Sequence, residues 1–145
     1  MFADLFNRLT ASEPEPISEM DARLALGALL VRLARADGTY DRDEAAQIDG
    51  ILMSRYALSR EDAAALRAEC EAAEAEAPDT VRFTRAIKEA VPYDDRAGVI
   101  EAAWTVVLAD GKRDKHEDAL LRMIAPMLGV SDQDSHAIRQ RVEGS

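Results

Sequence analysis

Two acidic bends carry the residue types that could bind a divalent cation. The first is the stretch RADGTYDRDE at residues 35–44, which has four carboxylates and one glycine. A related stretch, LADGKRDKHED, lies at residues 108–118. Carboxylate oxygens are the hard ligands that Ca²⁺ and Mg²⁺ prefer, so a metal site is one interpretation of these bends. The six candidate ligands, three in each bend, are Asp37, Asp41, Glu44, Asp110, Asp114 and Glu117.

The bends do not follow the pattern of an EF-hand loop. That loop takes its ligands at alternate positions, with glycine sixth and glutamate twelfth. Counted from Asp37, glycine comes second and the twelfth residue is Ile48; counted from Asp110, the twelfth residue is Leu121. A cation site at these bends would therefore be of another kind, for example one shared between the two bends.

Helix capping is the second interpretation of the same acids. In it Gly38 ends one helix, Asp41 is the N-cap of the next, and Glu44 completes a capping box. Capping does not explain Asp37, which would lie in the last turn of a helix, where the macrodipole disfavours an anion by roughly 0.3–1 kcal/mol. Asp37 could accept backbone N–H groups across the turn, or join the other acids as a metal ligand. Both interpretations stay open at this point for each bend. Lys112, Arg113 and Lys115 weaken the acidic field of the second bend, so we favour the first bend as a metal site.

The two bends belong to an internal repeat. An offset of 73 residues (110 minus 37) pairs Asp37 with Asp110, and it also pairs Gly38, Asp41 and Glu44 with glycine, aspartate and glutamate. A serine that we expect to cap the next helix recurs at an offset of 72 (131 minus 59). The recurrence predicts a duplicated unit of three helices.

The apolar pattern places the bends between helices. Apolar residues recur at three- and four-residue spacing, and the alternating runs typical of strands are missing from the sequence. A helix from Ser18 to Ala36 and another from Asp94 to Leu108 are apolar around much of their circumference, so both should be central. We predict an all-α fold, a single globular domain of about seven or eight helices. The other helices are expected to begin at Asp41, Ser59, Asp79, Asp114 and Ser131.

The repeat also predicts how the domain is divided. Its halves would cover about residues 17–77 and 93–143, with the segment 78–92 between them, and would pack around a pseudo-twofold axis that buries both central helices. Residues 1–16 should form a short amphipathic helix and a linker broken by two prolines. The apolar face of that helix consists of Phe2, Leu5, Phe6 and Leu9.

Composition limits the class of partner. The chain has 145 residues, a formal net charge of −10 and a pI near 4.7. Such a surface repels phosphate groups, which disfavours nucleic acid and anionic membrane surfaces and favours cations or basic proteins. Its apolar runs are shorter than the roughly 20 residues of a membrane span. The lone cysteine, Cys70, and the lack of a secretory signal at the N-terminus fit the cytoplasm.

Enzymatic chemistry has no support in the sequence. Phosphate-binding loops, nucleophile elbows and zinc signatures are missing from it, and His116 and His136 are isolated. We therefore predict no catalytic residue. Cys70 and Trp104 are expected in the core. The acids near the end of the third main helix are expected to form a solvated face that could attract a basic partner: Glu69, Glu71, Glu74 and Glu76.

The repeat resembles the TerB family, the tellurite-resistance protein and its relatives. The resemblance rests on LARADGTYDRDEAAQIDGIL at 33–52 and VVLADGKRDKHEDALLRMIAPMLGVS at 106–131, where a helix ending in A-D-G is followed by D-x-x-E. It covers about residue 17 to the C-terminus, so we expect a TerB-like domain over 17–145. It implies an all-helical fold with two related halves, acidic residues that bind divalent metal, and a non-enzymatic role.

Family members are linked to tellurite and envelope-stress systems, and similar domains lie beside J-domains in membrane-anchored co-chaperones. The resemblance therefore implies protein partners, among them membrane-associated stress-response components, and tuning by Ca²⁺ or Mg²⁺ at the bends. The alternative is a metal-independent helical adaptor whose acidic surface binds a basic protein. The sequence names neither the partner nor the oligomeric state.

Overall fold

Seven α-helices and no strand occur in the described part of the chain, which confirms the all-α prediction. A computed structural model describes residues 19–36, 38, 40–77, 80–108 and 115–144, without the side chains of 19–21 and 115–118. The predicted helix and linker of residues 1–16 lie outside this part. The helices are α1 (Glu19–Arg35), α2 (Arg42–Tyr56), α3 (Arg60–Glu76), α4 (Val81–Ala90), α5 (Tyr93–Val107), α6 (Lys115–Met127) and α7 (Asp132–Glu143).

The core is built around α1 and α5, as predicted. The α1 side chains from Leu24 to Ala34 are almost all buried, including Leu29, Leu30 and Leu33 at 0% exposure. This helix contacts α2, α3, α4, α5 and α6, and α5 contacts α1, α2, α4, α6 and α7. Burial of one such leucine contributes about 1.5–3 kcal/mol of transfer free energy, so the apolar circumference of α1 explains its central position.

Serine side chains begin α3 and α7, which confirms two of the predicted caps. Ser59 Oγ accepts a hydrogen bond from the Asp62 backbone N–H at 3.1 Å, and Ser131 Oγ accepts one from Asp134 at 3.1 Å. The start of α5 lies one residue before the predicted Asp94, because the carbonyl of Pro92 already accepts the first helical hydrogen bonds. The predicted start at Asp79 lies outside the described residues.

One pair of helix starts can be compared with the repeat. The first residues of α3 and α7 are Arg60 and Asp132, 72 residues apart, as are the two serine caps that precede them. The duplication itself stays a prediction. The pseudo-twofold packing of the halves and the domain boundaries stay predictions.

The turns after α2 and α6 have the same geometry but different residues. Ala57 has φ +54° and Gly129 has φ +78°, both in the left-handed region. The next residue in each turn donates its N–H to a carbonyl five residues earlier, Leu58 to Met53 at 3.1 Å and Val130 to Ala125 at 2.9 Å. This is the Schellman motif, in which glycine is the usual residue because a Cβ is strained there.

We expect Ala57→Gly to raise the free energy of unfolding by about 0.5–1 kcal/mol, because relief of the left-handed strain exceeds the entropic cost of glycine. The reciprocal variant, Gly129→Ala, should lower it by about 1–2 kcal/mol. Urea titration followed by circular dichroism measures both. A destabilised Ala57→Gly would contradict the expectation.

None of the described helices is long and apolar enough to cross a membrane.

Candidate functional site

The turn between α1 and α2 has the backbone geometry that its glycine predicts. Gly38 has φ +85°, and its N–H donates to the Arg35 carbonyl at 2.9 Å, closing the end of α1. A Cβ built on Gly38 would meet no atom of the described residues within 4 Å. The backbone angle therefore requires glycine here, and steric space does not. This confirms the predicted role of Gly38 in ending the helix.

The capping box at the start of α2 is present. Asp41 Oδ1 accepts from the Glu44 N–H at 2.9 Å, and Glu44 Oε1 accepts from the Asp41 N–H at 3.3 Å. Glu44 is only 3% exposed, whereas Asp41 is exposed. A carboxylate has about four lone-pair sites, so the capping bond leaves acceptor capacity on the exposed Asp41 group. The chemistry of Asp41 therefore fits a hard cation as well as a cap.

Tyr40 ties this bend to α3. Its hydroxyl donates to Glu71 Oε2 at 2.5 Å, and the same oxygen accepts from Arg67 Nη1 at 2.9 Å. Arg67 Nε donates in turn to Asp49 Oδ1 of α2 at 2.6 Å. Burial raises the pKa of the Tyr40 phenol, and the adjacent Glu71 carboxylate raises it further. The phenol consequently stays protonated and keeps donating over the physiological pH range.

A buried carboxylate joins the end of α1 to the end of α3. Glu74 is 8% exposed; its Oε2 accepts from Arg32 Nε at 3.0 Å and its Oε1 from Arg35 Nη1 at 2.9 Å. Arg32 Nη2 also donates to the backbone carbonyls of Glu74 at 3.1 Å and Ala77 at 2.8 Å. The Arg35 guanidinium lies over the Tyr40 ring, 5.2 Å from its centroid. One polar network thus connects α1, the bend and α3.

This network corrects the prediction that the acids of α3 form a solvated face. The prediction is wrong for Glu71 and Glu74, which are paired with arginines, and it holds for Glu69 and Glu76, which are exposed. The spacing of Arg67 and Glu71, four residues apart on one helix, was a signal for one of these pairs. Pairing of Glu74 depends on the packing of α1 against α3, which helical periodicity does not specify.

The described residues bring together two of the six candidate metal ligands, Asp41 and Glu44. Asp37, Asp110 and Asp114 lie outside the described residues, and Glu117 lies in α6 without a described side chain, so the geometry of the second bend is not described either. Within the described part, no group of three or more histidine, cysteine or acidic side chains is close enough to hold a metal ion. The six-ligand site, local or shared, stays a prediction.

The two residues predicted to be in the core are there. Cys70 is 0% exposed, and burial raises the pKa of its thiol, as expected of an unreactive packing residue. Trp104 is 3% exposed; its Nε1 donates to Ser135 Oγ at 3.2 Å. His136 is exposed, and His116 has no described side chain.

Comparison with known proteins identifies the family. Residues 23–140 match the family described as tellurite resistance protein TerB, a range that runs from the first turns of α1 into α7 and includes both bends. No curated protein and no solved structure matched the chain. Because the family match covers most of the chain, this protein belongs to the TerB family.

Proposed function

We propose that this chain is a non-enzymatic module of a tellurite or envelope-stress response, that it works in the cytoplasm through protein contacts, and that its acidic bends bind Ca²⁺ or Mg²⁺. Membership of the TerB family over residues 23–140 supports the tellurite-associated role. The single observation that carries the metal part is the anchored first bend, in which Tyr40 and the capping box fix the carboxylates of α2.

Anchoring matters because gathering several carboxylates around one cation costs conformational entropy and brings like charges together. The bend has already ordered Asp41 and Glu44, and Arg35 stacks on Tyr40 beside them. Asp37 would supply a third carboxylate, and it is the acid that capping does not explain. Three oxygen donors with water in the remaining positions match the ligands that Mg²⁺ and Ca²⁺ prefer.

Addition of Ca²⁺ or Mg²⁺ to the metal-free protein is expected to raise its melting temperature in a saturable way. At a concentration 100 times the Kd, the stabilisation would be about 2.7 kcal/mol, or about 5–10 °C for a domain of this size. Asp37→Asn should reduce the shift because it removes one anionic ligand. Differential scanning calorimetry measures the shift, and titration calorimetry measures the affinity.

Asp62→Asn is the matched control, since Asp62 is an exposed first-turn acid of α3 outside the bend. Ca²⁺ or Mg²⁺ should raise the melting temperature of Asp62→Asn by as much as that of the unmodified chain. No heat and no melting shift at millimolar Ca²⁺ and Mg²⁺ would refute the metal part of the proposal. If Asp62→Asn and Asp37→Asn reduced the metal-induced melting shift equally, the shift would reflect the overall negative charge and not a site at the bend.

A metal-independent adaptor is the second candidate function. The capping box favours it, because Asp41 and Glu44 each have a backbone partner without any cation. On α3 the exposed acids Glu69 and Glu76 would bind a basic partner. The adaptor predicts partner binding that high salt weakens, that a chelator leaves unchanged, and that Glu69→Lys with Glu76→Lys reduces. Loss of binding on chelation would favour the metal-dependent module.

A further inference from the structure

A surface groove of about 410 Å³ lies between the start of α5 and one face of α7. On the α7 side it is lined by Asp134, Ala137, Ile138 and Arg141, which recur at the three- and four-residue spacing of a single helix face. This face extends about 10 Å, the length of two helical turns. The volume lies in the range of binding sites in proteins, so the groove can hold a few large side chains of a partner.

An exposed aromatic ring borders an apolar floor in this groove. Val130 and Ile138 line the floor and are only 4% and 3% exposed. Tyr93 also lines the groove, but it is 56% exposed, the largest fraction among the large apolar side chains of the described residues. Aromatic residues are enriched where one protein binds another, because a rigid ring supplies a large contact area at little cost in conformational entropy. The ring and the floor together are typical of a surface that binds a protein.

Arg96 holds the Tyr93 ring in place. Its guanidinium lies 5.7 Å from the centroid of the ring and donates to the carbonyls of Val91 at 3.0 Å and Leu128 at 3.3 Å. Arg96 does not line the groove, so it supports the ring from outside and leaves the groove side of the ring to a partner. A side chain that is already ordered loses less conformational entropy when a partner binds.

The groove has one acidic end. Tyr93 Cε2 lies 3.8 Å from the position that a Cβ would take on Gly129, close to the start of α7. Asp94, next to Tyr93, and Asp134, in the first turn of α7, line this end, whereas Arg141 lines the groove two turns further along α7. Acids in the first turn stabilise the start of a helix. In the groove the same two exposed carboxylates also repel an anionic ligand and attract a basic one.

We propose that this groove binds a basic amphipathic helix of a partner protein. Helix-in-groove binding buries one face of about two turns, which is the length that the groove offers. An apolar side chain of the partner packs on Val130 and Ile138. A neighbouring lysine or arginine packs its aliphatic stem on the Tyr93 ring and brings its charge to Asp94 and Asp134. The inference deepens the part of the proposed function that invokes protein contacts, and it depends neither on metal binding nor on the tellurite-associated role.

A synthetic peptide of about 15 residues tests the proposal with the full chain, since a helix of this length is marginally stable in water and can form on binding. The peptide has leucine at helical spacing with lysine on both sides of the leucine face, and a second peptide has glutamate in place of lysine. The lysine peptide should bind at least roughly tenfold more tightly than the glutamate peptide. Tyr93→Ala should weaken its binding roughly tenfold, and so should Asp94→Asn combined with Asp134→Asn. Fluorescence anisotropy of labelled peptide measures each Kd.

Glu69→Gln combined with Glu76→Gln is the matched control, because it removes the same number of charges from exposed positions of α3. Salt screens charges that lie far from the bound peptide, so this pair should change the Kd by less than roughly twofold. Equal weakening by the α3 pair and the groove pair would overturn the groove and would place the peptide on the acidic surface of α3. If neither peptide bound, the groove would also be overturned, whereas the metal-induced melting shift would still test the metal part of the proposed function.

A thiol at Ala137→Cys shows where the peptide binds. Ala137 is exposed in the groove, whereas the exposed His136 does not line it, and Cys70 is 0% exposed and does not compete for a labelling reagent. Saturating lysine peptide should slow the labelling of Ala137→Cys by roughly tenfold and leave the labelling of His136→Cys unchanged. An unchanged rate for Ala137→Cys would overturn the proposal. Protection of Ala137→Cys without peptide, increasing with protein concentration, would also overturn it, because a second copy of the chain would then occupy the groove.

Discussion

Replacement of Glu74 by alanine should lower the free energy of unfolding by about 2–3 kcal/mol. Removing one partner of a buried ion pair typically costs 3–5 kcal/mol because the other charge is left uncompensated. The cost is reduced here because the Arg35 side chain is 40% exposed and is therefore screened by water. Arg32, at 17% exposure, also keeps its hydrogen bonds to the carbonyls of residue 74 and Ala77.

Denaturant titration of Glu74→Ala, compared with that of Glu76→Ala, measures how much this network contributes to the free energy of unfolding. Glu76 is exposed in the last turn of the same helix, so its replacement should change the unfolding free energy by less than about 0.5 kcal/mol. Glu74→Gln adds a test of charge, because it keeps the size and one acceptor oxygen but removes the negative charge between the two arginines. If Glu74→Ala and Glu76→Ala were equally stable, the network between α1 and α3 would not stabilise the fold.

Features that depend on neighbours in sequence were predictable. The serine caps of α3 and α7, the left-handed Gly38 and the capping box of Asp41 each involve residues no more than three positions apart. Their physics is local, so residue type and spacing specify them. Both central helices were predictable for a related reason, since an apolar circumference can be satisfied only in the core.

Contacts between helices were not predictable in the same way. Arg32 and Glu74 lie 42 residues apart, and Tyr40 and Glu71 lie 31 residues apart. Periodicity shows that each residue is on a helix or a turn, but the partner depends on how the helices cross. Thus the acids of the bend were found from the sequence, whereas the tyrosine that anchors the bend was not.

The contact of Tyr40 with Glu71 shows how helix capping and metal binding could coexist at the first bend. A cation bound at Asp41, as proposed, would use lone pairs other than the one that accepts from the Glu44 N–H, so the observed cap would not compete with it. Through Tyr40, any ordering of the bend by a cation would also stabilise its contact with α3. The cation-binding free energy measured at the bend would therefore include the contact of Tyr40 with Glu71. Comparison with Tyr40→Phe would separate the contribution of this contact from that of the cation and its ligands.

We also expect Gly27→Ala to destabilise the protein, because α1 packs closely against α3 at Gly27. A Cβ on Gly27 would lie 2.2 Å from Cys70 Sγ and 3.2 Å from Cys70 Cβ, although alanine is the better helix former. Overpacking of a core typically costs 1–3 kcal/mol, which exceeds the gain of about 0.5–1 kcal/mol from helix propensity. We expect a net loss of about 1–2 kcal/mol in the free energy of unfolding, measured by denaturant titration.

Two further variants show whether the close approach is the cause. Gly50→Ala, in the interior of α2, should stabilise the protein by about 0.5–1 kcal/mol, because its Cβ would meet no described atom within 4 Å. Cys70→Ala removes the atom nearest to the new methyl group, so it should recover part of the loss when combined with Gly27→Ala. The recovery should be incomplete, since the 3.2 Å approach to the Cβ of residue 70 persists. Additive effects of Gly27→Ala and Cys70→Ala would mean that glycine is needed in α1 for a reason other than its contact with α3.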